Sequence, residues 1–383
     1  MTLIASTFSQ ELPFILGDLL FSSIEGKPYF ITPTQIPIFP ESHKNSGYKP
    51  HSLNQKIYIL RDNLAVALAG NSFQMKTFLR ELKMRLQYGV IERESIERFL
   101  IDFDMGVNFS ESAMLMMLVL PHDSESNFVN RFSFGNWSKE EHQHFGSVWA
   151  IGSGAQSFLS QFKEPTSFET DAQLGTVQYA IIANLGLLAK WLAIEKGSGI
   201  TLKDSWGAGF EMIFYDGKKF EKFQEICFVI FEGRSDENGI TEFVFPTVVM
   251  YQHYKNDILY ITSLRLMEGV SSEIDNNICY YCDNLETNFF VVTPIDSDHE
   301  GTVEVKENHS FQSFTISAGY SIINHDQGMY NPTYFLRDGT VSVNFSDSQT
   351  DSQKIEIKVP IEINHQILAS AKAAFDFENS RLQ

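Results

Sequence analysis

Apolar and polar positions alternate in short runs over most of this chain, and a helical period replaces that alternation in only a few segments. "LIASTF" and "FILG", on either side of "SQEL", read as two short strands around a turn. The stretch that follows, "EGKPYFITPTQIPIFPESHKNSGYKPHS", is rich in Pro, Gly and Ser and predicts a long surface excursion. "KIYILRDNLAVALAG" is two β-rich runs split by "RDN", a hairpin by its turn chemistry.

In "NSFQMKTFLRELKMRLQYG" the spacing of Met75, Phe78, Leu79, Leu82 and Leu86 puts one face of a helix in the core, with Asn71 or Ser72 as its N-cap. A second helix at "ESIERFLIDFDM" and strands at "AMLMMLVLP" and "FVNRFSFG" come next. "SVWAIGSGAQSFLSQF" predicts a strand running through Gly152 into a helix that starts near Ser153. "AQLGTVQYAIIANLGLLAKWLAIEKG" reads as a long buried helix closed by Gly197. "GFEMIFYDGKKFEKFQEICFVIFE" then reads as a hairpin turning at Asp216-Gly217.

Strands, two helices, strands, two helices and strands again fit two stacked sheets with helix pairs outside, so a four-layer αββα sandwich is expected over residues 1–235. From residue 236 short strands dominate, "GTVEVKE" among them, with turn signals at Asn238-Gly239 and Asp338-Gly339 and one closing helix at "HQILASAKAAFDFENSRL". Residues 236–383 therefore read as a separate β-rich domain, and the whole chain as α+β.

Length agrees with two domains, since 383 residues exceed one ordinary core. The 33 phenylalanines point to large aromatic cores. With 29 Lys and Arg against 48 Asp and Glu, the formal charge of −19 repels phosphate backbones and argues against nucleic acid as a partner.

Cys227, Cys279 and Cys282 are too few for a disulfide framework and suit a reducing compartment. The lone C-x-x-C at 279–282 lacks the further ligands zinc requires, and "EHQH" at 141–144 reads as a solvated loop, so no metal or cofactor is expected. Neither a signal-peptide pattern nor a run of about 18 uninterrupted apolar residues is visible, which predicts a cytoplasmic protein without a membrane partner.

Thr2, directly behind Met1, has two readings. It is an ordinary polar residue near a terminus, or it is a nucleophile that gains its own general base, the α-amine, when Met1 is removed. Asp18 in "LGD" follows sixteen residues later, Lys56 opens the strand "KIYIL", and Gly70 in "ALAGN" lies fourteen beyond the lysine. Ser153 stands in "AIGSGA" and Asp204 in "KDSWGAGFEM".

In this order and spacing, residues 1–235 resemble the proteasome β-subunit and HslV-like N-terminal nucleophile hydrolases. The resemblance implies Thr2 as nucleophile, Asp18 and Lys56 as the pair that sets its proton affinity, Ser153 and Asp204 as groups orienting the amine, and the Gly70 N–H as oxyanion donor. It implies a peptidase working through an acyl-enzyme on Thr2, with a peptide or protein substrate, self-association and a possible ATPase partner. A non-catalytic scaffold of the same kind is the rival expectation.

Four departures from the family pattern are visible, one of them the added β-rich module at residues 236–383. Thirty-eight positions separate Asp18 from Lys56, Gly207 and Ala208 stand where a serine and glycine are usual, and Leu3 follows the nucleophile. The excursion from Phe21 to Gln55 is expected to shape substrate access, or alternatively to pin the second domain.

Overall fold

A computed structural model describes residues 2–23, 30–38, 49–87, 91–120, 129–160, 162, 175–236, 239–297, 310–324, 328–330, 333–336, 341–347, 353–365 and 369. Met1, Asn238, "GTVEVKE", the Asp338-Gly339 turn and most of the closing helix lie outside them.

In chain order β1 (Ile4–Ser9), β2 (Leu12–Asp18), β3 (Leu20–Ser23), β4 (Phe30–Ile31), β5 (Pro37–Ile38), β6 (Lys49–Gln55), β7 (Ile57–Arg61) and β8 (Leu64–Gly70) lead to α1 (Ser72–Leu86), α2 (Arg93–Asp102) and α3 (Met105–Asn108). Next come β9 (Ser112–Val119), β10 (Val129–Phe134), β11 (Trp137–His142), β12 (Gly146–Ile151), α4 (Ala155–Ser160), α5 (Thr176–Ser198) and α6 (Ile200–Lys203). The rest is strand: β13 (Phe210–Tyr215), β14 (Phe220–Lys222), β15 (Glu225–Asp236), β16 (Gly239–Lys255), β17 (Ile258–Ile274), β18 (Asn277–Pro294), β19 (Phe311–Ser313), β20 (Ile316–Asn324), β21 (Gly328–Tyr330), β22 (Thr333–Leu336), β23 (Ser342–Ser346) and β24 (Lys354–Pro360).

A six-stranded sheet runs β11-β12-β1-β2-β13-β14 and a four-stranded one β10-β9-β8-β7, both antiparallel throughout. The β1–β2 hairpin turns at Gln10 and Glu11, both at positive φ, which matches the right-handed twist of the strands it joins. Ile4 and Ile15 of one sheet meet Ile57, Ala65, Ala67, Leu115 and Met117 of the other. Outside the smaller sheet, Phe78, Leu79 and Leu82 of α1 and Phe99 of α2 bury the side chains of Leu64, Val66, Met114 and Met116. The Asn71 side chain caps α1 through the N–H groups of Phe73 and Gln74.

On the opposite side the structure corrects the αββα expectation. Among the described residues the helix on the six-stranded sheet is not an outer layer, because α5 is itself enclosed. Asn184 anchors it to β1, accepting from Thr7 Oγ1 (2.7 Å) and donating to Ser9 Oγ (3.0 Å), while β15, β20 and β22 lie against it. Its Trp191 and Leu192 share one core with Phe14 and Leu16 of β2, Phe228 and Ile230 of β15, and Val248 and Met250 of β16. Hydrophobic residues recur all round α5, so burial on both sides is the arrangement that removes them from water. The described chain is mostly antiparallel sheet with few helices.

That helix is also the one described segment long and apolar enough to cross a membrane. It closes at Gly199, in the left-handed conformation, two residues beyond the Gly197 expected from sequence.

A twelve-stranded sheet completes the fold, running β19-β23-β24-β18-β17-β16-β15-β20-β21 with β22, β3 and β6 attached. The 235/236 boundary falls at the end of the β15–β16 hairpin, and β15 already belongs to this sheet. The Phe21–Gln55 excursion is not all surface. Its β6 pairs with β3 and with β18, and Thr32, Pro33, Thr34 and Gln35 are buried.

Candidate active site

Pairing of β1 with β2 sets Ile4 opposite Gly17, which brings Asp18 alongside Thr2 and Leu3. Asp18 is fully buried and accepts four hydrogen bonds. Oδ1 accepts from Thr2 Oγ1 (2.5 Å), Leu3 N (2.7 Å) and Lys56 Nζ (2.7 Å), and Oδ2 accepts from Gly207 N (2.9 Å). Four donors converging on one buried carboxylate fix its position.

Lys56 lies between β6 and β7, and its Nζ donates to Asp18, to the Leu20 carbonyl (2.6 Å) and to Thr2 Oγ1. Burial pushes the Lys56 ammonium below the ordinary lysine range, against the opposing pull of Asp18 and, more weakly, Glu211. The threonine hydroxyl is thus clamped between a carboxylate that accepts its hydrogen bond and an ammonium aimed at its oxygen.

β12 delivers the third side. Ile151 pairs with Ile4, and Gly152 follows at φ +92°, where a Cβ would lie 2.2 Å from the Thr2 carbonyl oxygen, so only glycine lets the two backbones meet. Ser153 Oγ then accepts from Thr2 N at 3.1 Å, and Gly154 N donates to the Thr2 carbonyl at 3.2 Å. In the Met1–Thr2 peptide this nitrogen is an amide.

Hydrogen bonds bring Thr2, Asp18, Lys56 and Ser153 together, and no described hydrogen bond joins Asp204 or Gly70 to Thr2. Asp204 is exposed, its N–H caps α6 by donating to Ile200 O, and its described contacts do not reach Thr2. Gly70 ends β8 opposite Ser112 at φ +114°, packed so closely on Glu111 and Ser112 that a Cβ would lie 2.5 Å from the Glu111 carbonyl. Its described neighbours belong to β9 and the turn before it rather than to Thr2.

Two buried carboxyls had no part in the sequence reading. Glu211 Oε1 accepts from the backbone N–H groups of Lys56 and Ile57 (3.0 Å for the latter), which fixes the start of the lysine-bearing strand. Glu195, in the last turn of α5, accepts from Thr34 Oγ1, Thr201 Oγ1 (3.0 Å) and Ala208 N (2.8 Å). Desolvation pushes each of them up to about 7, with those hydrogen bonds opposing. The signal available in sequence was a lone acid inside an apolar run, "FEMIFY" for Glu211 and "LAIE" for Glu195.

Among the described residues no cluster of three His, Cys, Asp or Glu side chains could hold a metal, and Cys279 and Cys282 are separate buried thiols. No family model matches the chain, and no curated protein matches it.

Proposed function

We propose that the chain is a threonine N-terminal nucleophile hydrolase, of the kind the proteasome-type peptidases represent, cleaving amide bonds through an acyl-enzyme on Thr2 after loss of Met1. The observation that carries the reading is the clamp on Thr2: Lys56 Nζ bridges Asp18 Oδ1 and Thr2 Oγ1 while Ser153 Oγ takes Thr2 N.

In this reading the free α-amine, with an ordinary pKa of about 7.7–8.0, takes the Oγ1 proton as the oxygen attacks the substrate carbonyl. The ammonium of Lys56 disfavours a second positive charge on that amine, and Ser153 orients it. Collapse of the tetrahedral intermediate breaks the C–N bond, and the amine returns its proton to the leaving nitrogen. Water then cleaves the Thr2 ester by the same proton route and restores the free hydroxyl. Peptides or proteins are the substrate class, with self-association and an ATPase partner as accompanying proposals from the resemblance.

A non-catalytic scaffold is the second reading. It is favoured by the exposed position of Asp204 and by the burial of Thr2, which leaves 3% of the residue accessible.

Intact-mass analysis of the purified protein, before and after incubation with a β-lactone that acylates nucleophilic hydroxyls, decides between them. Loss of Met1 and a single adduct mapped to Thr2 are expected for the hydrolase. A retained Met1 with no adduct supports the scaffold.

A further inference from the structure

Gly207 carries no side chain where one would collide with a carboxylate: a Cβ there would lie 2.1 Å from Glu195 Oε2 and 3.0 Å from Thr201 Oγ1. Its φ of +107° adds a backbone reason for glycine. The volume a side chain at 207 would occupy is filled by Glu195 from α5. The same carboxylate takes Ala208 N, and the neighbouring Gly207 N donates to Asp18 Oδ2. Gly207 O accepts from Leu20 N at 3.0 Å, and the Leu20 carbonyl in turn holds Lys56 Nζ. Glu195 thus fixes the turn that fixes both partners of the Thr2 hydroxyl.

On its other side Glu195 holds Thr34, in the short segment flanked by β4 and β5. Thr34 and Thr32 share a hydrogen bond of 2.9 Å. Next to them Gln35 Nε2 donates to Ser263 Oγ (2.7 Å), Ser263 Oγ donates to the Pro33 carbonyl, and Asn288 Nδ2 donates to Gln35 Oε1 (2.9 Å). Hydrogen bonds and the short backbone links between them therefore lead from β17 and β18 through residues 33–35 to Glu195, and through Ala208 and Gly207 on to Asp18.

We propose that Glu195 is a positioning residue for Asp18, and that through Thr34 it couples the seating of the excursion on β17 and β18 to the geometry of the Thr2 hydroxyl. The proposal rests on the reading of Thr2 as a nucleophile. The groups facing Glu195 are the two threonine hydroxyls, Ala208 N and, as the ionised neighbour, Asp18 on β2. An ionised Glu195 accepts from all three donors. Once protonated, it must donate to one hydroxyl, which then turns and loosens either Thr34 or Thr201, while the Ala208 N–H cannot reverse.

The test compares wild type, Thr34→Val, Glu195→Gln and the double variant by the rate of β-lactone acylation at Thr2 between pH 5.5 and 9. Hydrogen exchange over residues 205–210 is measured in the same samples. Thr34→Val is expected to slow acylation roughly 2- to 10-fold, the loss of one buried hydrogen bond. The wild-type acid limb should be steep, set by the α-amine and Glu195 together, and Glu195→Gln should leave only the shallower limb of the amine, while the double variant should be no slower than the slower single, as for residues acting in one network. A wild-type rate in Thr34→Val, an unchanged acid limb in Glu195→Gln, or multiplicative effects in the double variant overturn the proposal.

If wild type takes no adduct at Thr2, the nucleophile reading fails on its own. The exchange data then decide the coupling: faster exchange at 205–210 in Thr34→Val supports it, and unchanged exchange refutes it.

Discussion

Lys56 Nζ lies 2.7 Å from Asp18 Oδ1, and the two side chains are sealed from solvent, at 1% and 0% exposure. A pair so buried is costly to break from one side, because the remaining charge has no water to turn to. Asp18→Asn is expected to destabilise the fold by about 3–5 kcal/mol. Adding Lys56→Met to Asp18→Asn should recover part of that loss by removing the stranded ammonium. Urea denaturation of both variants reads the difference, and equal or additive losses would show that the two charges do not act as a pair.

On the proposed reading, Thr2→Ala, which removes the hydroxyl that Asp18 and Lys56 clamp, is expected to abolish acylation and amide hydrolysis. Stability should fall by only about 1 kcal/mol, the net worth of a hydrogen bond. Thr2→Ser keeps the oxygen and should keep measurable labelling. Adduct formation on Thr2→Ala at the wild-type rate would place the nucleophile elsewhere.

Gly152→Ala is expected to abolish labelling for a steric reason. The new methyl would need to lie 2.2 Å from the Thr2 carbonyl at a backbone φ of +92°, so the two strands must part. A crystal structure of the variant should show Ser153 Oγ displaced from Thr2 N. Unchanged geometry together with unchanged labelling would contradict the described contact.

Glu195 and Glu211 make stability fall as pH rises. Each has an ordinary value of 4.5 and a folded value of about 7, so the native state binds more protons than the unfolded state between those limits. Stability is greatest below pH 4.5 for these two groups, declines through the window and levels above 7, by about 3 kcal/mol for each at most. Thermal unfolding from pH 5 to 8 should show the decline, and Glu195→Gln or Glu211→Gln should flatten it. A slope unchanged in both variants would show that neither carboxyl titrates there.

Much of the site was legible because it rests on local register. The turn at Gln10-Glu11 sets Asp18 beside Thr2, and Gly152 at the end of β12 sets Ser153 there too. Asp204 misled because its type and spacing suited the site, whereas the backbone of Gly207 and Ala208, which carry no functional side chain, forms the actual contacts. Glu195, Glu211 and Thr34 were hidden because their burial depends on partners far away in sequence. The outer layer failed on α5, since an all-round apolar helix announces burial without saying which sheet lies on its second side. The excursion misled through composition: Pro, Thr and Gln read as solvent-facing until Gln35 is seen bonded to Ser263 and Asn288.

β6 sits between β3 and the end of β18, and Gln55, the residue before Lys56, donates its Nε2 to the Val292 carbonyl 237 positions away. On the ribosome, where chains emerge from the N-terminus at about 5–20 residues per second, the first strands leave the tunnel well before β18 exists. The bond from Gln55 to Val292 forms only when that late segment arrives. A truncated translation product that stops before residue 292 would carry Thr2, Asp18 and Lys56 but lack the bond that ties Gln55, the residue before the lysine, to β18.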